Sequence, residues 1–284
     1  MRFVNADGRS ALLVDDTVYD LATASNGAIS ADPMKVVTGQ WHQARALHAK
    51  GIATGGRPVA EVTLGPPVPA PRAVYGVGLN YRDHAAESGR DVPEMPAIFT
   101  KFPTAVTGPG GDIVLPVGRS AVDYEAELCV VLADAGRHVP ADEALARGVL
   151  GFMCAQDISE RHVQFAAGAQ FSMGKSYPTF CPTGPAIVTL DELPDPTSLS
   201  VQCTLNGATM QHGTTSDLIF DVAALLAFIS SICPLRAGDL CLTGTPAGVG
   251  VARTPPVFLQ PGDQLVTTID ELGTMSHRCV AEGP

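Results

Sequence analysis

Short apolar runs broken by glycine and proline recur along most of the chain, and they predict a fold richer in strands than in helices. The first part carries three such runs, at residues 2–4, 11–14 and 17–20, followed by a helical pattern at about 41–50. Gly65-Pro66-Pro67-Val68-Pro69-Ala70-Pro71 is too rich in proline for a regular element, so a small N-terminal domain is expected over residues 1–65 and a larger one over 66–284. Beyond that linker, strand signals repeat between Gly/Pro turns, with helices expected only at about 142–149, 159–164 and 220–232. This irregular order predicts an α+β, β-rich fold and argues against a doubly wound βαβ domain. It also weakens Gly76-Val77-Gly78 as a dinucleotide fingerprint, because the third glycine is missing.

Composition narrows the function more by exclusion than by assignment. A chain of 284 residues can bury a large core without staples. Its formal charge of -11, with no Lys/Arg cluster, excludes a nucleic-acid or anionic-membrane surface. Met1-Arg2-Phe3-Val4-Asn5-Ala6-Asp7 lacks the features of a secretory signal, and the best apolar run, residues 222–233, is too short to span a bilayer, so a cytoplasmic location is expected. The seven cysteines are scattered, with no C-x-x-C pair, which indicates neither a disulfide framework nor a zinc cage.

The strongest chemical signal is Asp123-Tyr124-Glu125-Ala126-Glu127, which leads into the apolar run Leu128-Cys129-Val130-Val131-Leu132. On a strand Glu125 and Glu127 share one face, where they repel unless solvated or neutralised by a hard divalent cation. A half-exposed strand face has the same pattern. Within residues 150–161 a second acid, Asp157, ends a nearly uncharged strand; it suits either a helix cap or a third oxygen ligand. Asp157, Arg161 and Gln164 stand at i, i+4 and i+7 and would share a helical face if the helix began early enough.

In order along the chain come Gly76-Val77-Gly78-Leu79-Asn80-Tyr81-Arg82-Asp83-His84-Ala85-Ala86-Glu87, Asp123-Tyr124-Glu125-Ala126-Glu127, Gln156-Asp157-Ile158-Ser159-Glu160-Arg161-His162-Val163-Gln164, Gly174-Lys175-Ser176-Tyr177 and Thr243-Gly244-Thr245-Pro246-Ala247-Gly248-Val249-Gly250. Together, over roughly residues 72–280, they closely resemble the fumarylacetoacetate hydrolase family. The resemblance implies a mixed β-roll or sandwich, a homodimer, and a divalent ion (Mg²⁺ or Mn²⁺, with Ca²⁺ as a further option) on Glu125, Glu127 and Asp157. It implies a catalytic pair, His84 with Glu87, in which the carboxylate orients and strengthens an imidazole base. Lys175, Arg161 and Gln164 would favour a developing oxyanion, and Thr245 would add a hydroxyl. The implied substrate is a small 2-oxo or β-diketo acid, the implied reaction hydrolysis of a carbon–carbon bond in an acylpyruvate. The same site would serve a 2-oxo-acid decarboxylase or a 2-oxo-alkenoate isomerase or hydratase, and a silent metabolite-binding protein is the alternative outside catalysis. Residues 87–97 and 166–173 are expected to shape the region around the substrate's tail.

Overall fold

The computed structural model describes residues 1–52, 55–166, 168 and 170–283; of the 166–173 segment, residues 167 and 169 lie outside the described residues. Its main sheet runs in the order Arg57–Pro58, Thr17–Asp20, Arg9–Val14, Arg2–Ala6, Cys181–Val188, Val149–Gln156, Ala126–Leu132, Leu240–Leu242, Val74–Gly78 and Ala97–Lys101. A second sheet runs Ala208–Thr214, Ser200–Leu205, Gln264–Ile269, Gly273–Ala281 and Ile113–Leu115, and it packs against the first. The strand-rich α+β architecture is therefore the one its patterning predicts.

Ala126–Leu132 is buried at every position, and Val149–Gln156 at every position but Leu150. Strands covered on both faces need apolar residues throughout, which is why these two read as continuous runs rather than alternating ones. They pair antiparallel, with Ala126 opposite Gln156. Polar bridges tie the sheets together below that point: the Gln156 amide donates to Thr267 Oγ1 at 2.8 Å, and Ala126 N–H donates to Gln211 Oε1 at 2.9 Å.

The N-terminal strands continue the main sheet across the linker, since Arg2 and Phe3 pair with Val188 and Ile187. The helix expected at 41–50 is Trp41–Lys50. That expected at 220–232 is Val222–Ile232, which starts later because Asp221 caps it by accepting from Ala224 N–H. The helix expected at 159–164 instead spans Arg161–Ala166, because Ser159 and Glu160 form a short strand with Val122–Asp123 and cannot open the helix. Asp157 thus precedes the helix rather than sharing a face with Arg161 and Gln164.

Candidate active site

The acidic floor follows from strand register. Glu127 lies near the start of Ala126–Leu132, and Glu125 just precedes it. Because Ala126 faces Gln156, the next residue, Asp157, comes alongside Glu125, whose carbonyl accepts its N–H at 2.9 Å. One carboxylate oxygen from each of Glu125, Glu127 and Asp157 lies within 4.8 Å of the others, and all three residues are buried. Gly244 N–H donates to Glu127 Oε2 at 2.7 Å. Its φ of +100° favours glycine, and a Cβ there would stand 2.8 Å from that of Asn80.

Cations interleave these acids. Lys175 Nζ donates to Glu125 Oε2 at 2.7 Å and to Asp157 Oδ2, while Lys101 Nζ donates to Asp157 Oδ1 and to the Ile158 carbonyl. Arg161 bridges Asp123 and Glu125 and donates to Gln164 Oε1 at 2.9 Å. Four buried carboxylates, those of Asp123, Glu125, Glu127 and Asp157, therefore meet three buried cations. Burial pushes the Glu125 carboxyl up, but Lys175 and Arg161 outweigh it and hold the group well below its usual range. Glu127 is pushed well up, by burial and then by repulsion from Asp157 and Glu125. Burial would lower the Lys175 pKa, but Asp157 and Glu125 raise it on balance, so the ammonium is kept charged. Three hard oxygen donors around an underneutralised glutamate suit Mg²⁺, Mn²⁺ or Ca²⁺, and this cluster could hold such an ion.

The rim is built differently. Helix Arg82–Glu87 brings His84 and Glu87 together at i and i+3, with Nδ1 and Oε2 3.0 Å apart. Glu87 also accepts from Gly248 N–H at 2.8 Å, joining the helix to the 246–253 loop. Burial raises the Glu87 pKa, but the His84 and Gly248 hydrogen bonds lower it more, so it lies below the ordinary value. Asn80 anchors the segment before the helix by donating to the Phe220 and Thr243 carbonyls and accepting from Phe220 N–H. Asp123 stitches the 246–253 loop to the floor: its carboxylate accepts from Gly250 N–H, Val251 N–H and Arg161.

A cavity of about 530 Å³ is lined by His84, Glu87, Glu125, Glu127, Asp157, Arg161, Gln164, Lys175 and Thr245. The Thr245 hydroxyl donates to the Ala126 carbonyl and accepts from Gln211, so its proton points to the backbone. Outside the site, the His162 ring is 70% exposed and His277 is buried against the Gly111 carbonyl. Sequence reasoning missed Lys101, the roles of Asp123 and Gln211, and the aromatic lining of Phe99, Phe165 and Phe171. A lysine two residues after Phe99 in the otherwise uncharged strand Ala97–Lys101 is the signal for Lys101.

Residues 73–280 match the family model described as fumarylacetoacetate (FAA) hydrolase C-terminal, and the chain belongs to that family. It is 44% identical over 224 residues to human "Oxaloacetate tautomerase FAHD2A, mitochondrial", covering 78% of this chain and 71% of that protein. It is 41% identical over 233 residues to the 2,4-didehydro-3-deoxy-L-rhamnonate hydrolase of Sphingomonas sp. (strain SKA58), covering 81% of each. Among solved structures, maleylpyruvate hydrolase from Sphingobium sp. SYK-6 in complex with manganese(II) and pyruvate superposes with a TM-score of 0.82 at 29% identity, covering 100% of both chains. The family thus spans hydrolases and tautomerases, and its named members act on small keto acids. Among the described residues, no helix is long and apolar enough to cross a membrane.

Proposed function

We propose that the protein is a divalent-metal-dependent hydrolase that cleaves a carbon–carbon bond in an acylpyruvate or related β-diketo acid. The observation that carries this reading is the hydrogen-bonded His84–Glu87 pair facing the same cavity as the acidic triad. An ion held by Glu125, Glu127 and Asp157, Mg²⁺ or Mn²⁺ in this reading, would supply Lewis acidity toward the substrate's 2-oxo-carboxylate.

With Nδ1–H donating to Glu87, His84 presents an unprotonated Nε2 able to take a proton from water. The water oxygen adds to the distal acyl carbon. Lys175, which directs two of its three N–H bonds to Glu125 and Asp157, and Gln164, whose amide nitrogen is not used by Arg161, offer donors to the oxygen that gains charge. The bond between the acyl carbon and the adjacent methylene then breaks, its electron pair passing into the 2-oxo acid, and the His84 proton quenches that carbanion. The products are a carboxylic acid and pyruvate or its homologue. We further read the protein as a cytoplasmic homodimer; light scattering tests the dimer and cell fractionation the location.

A second reading is favoured by the 44% identity to an oxaloacetate tautomerase: His84 would move a proton at the carbon beside the 2-oxo group without bond cleavage. Mass-resolved assays of metal-stripped protein on acetylpyruvate and oxaloacetate, with the enol followed in parallel by its ultraviolet absorbance and with and without added Mg²⁺ or Mn²⁺, separate the two. Metal-dependent fragmentation of acetylpyruvate supports the hydrolase. Keto–enol exchange of oxaloacetate with no fragmentation supports the tautomerase, and CO₂ release marks a decarboxylase. A His84→Ala protein that still fragmented acetylpyruvate at the full rate would remove the assigned base.

A further inference from the structure

We propose that the cavity is shaped for a 2-oxo acid with an aromatic tail, seated against Phe99, Phe165 and Phe171; the proposal rests on the reading that places the 2-oxo-carboxylate head at the acidic triad. The three rings form one continuous wall, with centroids 6.0 Å apart between Phe99 and Phe171 and 6.2 Å apart between Phe165 and Phe171, both edge to face. All three line the cavity. Edge-to-face rings leave further faces and edges to which another ring can stack.

Several elements are built to hold that wall. Gly76 lies opposite Phe99 in the neighbouring strand, and a Cβ at Gly76 would fall on the Phe99 ring. The Gly76-Val77-Gly78 motif, unused by any nucleotide reading, therefore seats an aromatic residue. Lys175 Nζ sits 4.9 Å from the Phe99 centroid, so this ring marks the passage from the charged head region to the apolar one. On helix Arg161–Ala166, Arg161 and Phe165 are one turn apart, so a single helix serves both floor and wall.

Exposure points the same way. Phe165 keeps 47% of its surface accessible, although it faces a cavity, and a large apolar ring left open in a concave site gains most from an apolar occupant. The volume of about 530 Å³ falls within the roughly 300–1,000 Å³ of pockets that enclose drug-sized ligands, well beyond what a four-carbon acid fills. Arg161 and Lys175 are held in buried ion pairs. Arg90 is the remaining cation of the lining and is exposed, so a carboxylate-tipped tail is the rival occupant.

Binding of pyruvate, phenylpyruvate and 2-oxoglutarate to the Mn²⁺-loaded protein, measured by calorimetry, tests the proposal without requiring turnover. Phenylpyruvate is expected to bind about tenfold or more tighter than pyruvate, the scale of a filled apolar pocket. That ratio should fall toward one in Phe171→Ala and in Phe165→Ala, the latter altering a half-exposed ring that folding tolerates. Equal affinities, or a ratio untouched by both substitutions, overturn it. So does 2-oxoglutarate binding more tightly than phenylpyruvate with a preference lost in Arg90→Ala. If no 2-oxo acid binds, the head assignment itself fails and the tail proposal falls with it; pyruvate binding without a tail preference removes the proposal alone.

Discussion

The floor and the rim of the site bring carboxylates to the same cavity by opposite means. Glu125, Glu127 and Asp157 sit at the ends of the paired central strands, at most 6% exposed, with buried lysines and an arginine between them. The His84 and Glu87 side chains ride on a six-residue helix, 14% and 21% exposed, held by Asn80, by the Gly248 N–H and by each other. Substituting a floor residue strands buried charge, whereas substituting a rim residue removes a reacting group from a surface that water can reach. The floor couples chemistry to stability, and the rim separates them.

Four measurements can break or sharpen that contrast. Asp157→Ala should have the largest effect, abolishing turnover and lowering stability by about 3–5 kcal/mol, because Lys101 and Lys175 both lose a partner; urea unfolding and an acylpyruvate assay read both, and an Asp157→Ala protein of wild-type stability would end the distinction. His84→Ala should reduce turnover by about 10²–10⁴-fold while leaving the urea midpoint and Mn²⁺ affinity near wild type. Glu87→Gln should cost less, about 10–100-fold, by weakening the hydrogen bond from carboxylate to imidazole that sets the His84 tautomer; its pH–rate profile should shift where a merely structural loss would leave it in place.

The smallest effect concerns pH in the metal-stripped protein. The raised Glu127 pKa means that the folded chain keeps a proton the unfolded chain releases, so stability falls as pH rises from the ordinary value of 4.5 toward the folded one. Glu125, held low, acts in the opposite sense: its contribution is present above that ordinary value and is lost as pH falls through its folded value. Saturating Mn²⁺ should cancel the fall on the alkaline side, because ion binding displaces the same proton. Urea midpoints of stripped and loaded protein between about pH 5 and 8 test this, and parallel curves would place the proton elsewhere.

How much of this was readable depends on whether a residue works locally or across the fold. Glu125 and Glu127 are legible because two acids at strand spacing run into an apolar segment, and His84 with Glu87 because their spacing matches a helical turn. Lys101 reaches Asp157 across 56 residues, and Gln211 reaches Thr245 across 34, so no local pattern announces either contact. Helix Arg161–Ala166 begins late because Ser159 and Glu160 pair with residues more than thirty positions earlier, a tertiary override of local periodicity. Gly76 and Gly78 read as a weak nucleotide signal because a glycine placed to seat Phe99 is indistinguishable in sequence from one that admits a phosphate.

The pairing of Arg2–Ala6 with Cys181–Val188 has a consequence for anyone trimming the chain to its family-matching portion. A protein beginning at residue 73 would bare the flank of a strand whose Ala186, Ile187 and Val188 are buried. Unpaired backbone beside such side chains is a template for other chains, so the shortened protein is expected to self-associate or precipitate unless that border is blunted by charge or by proline.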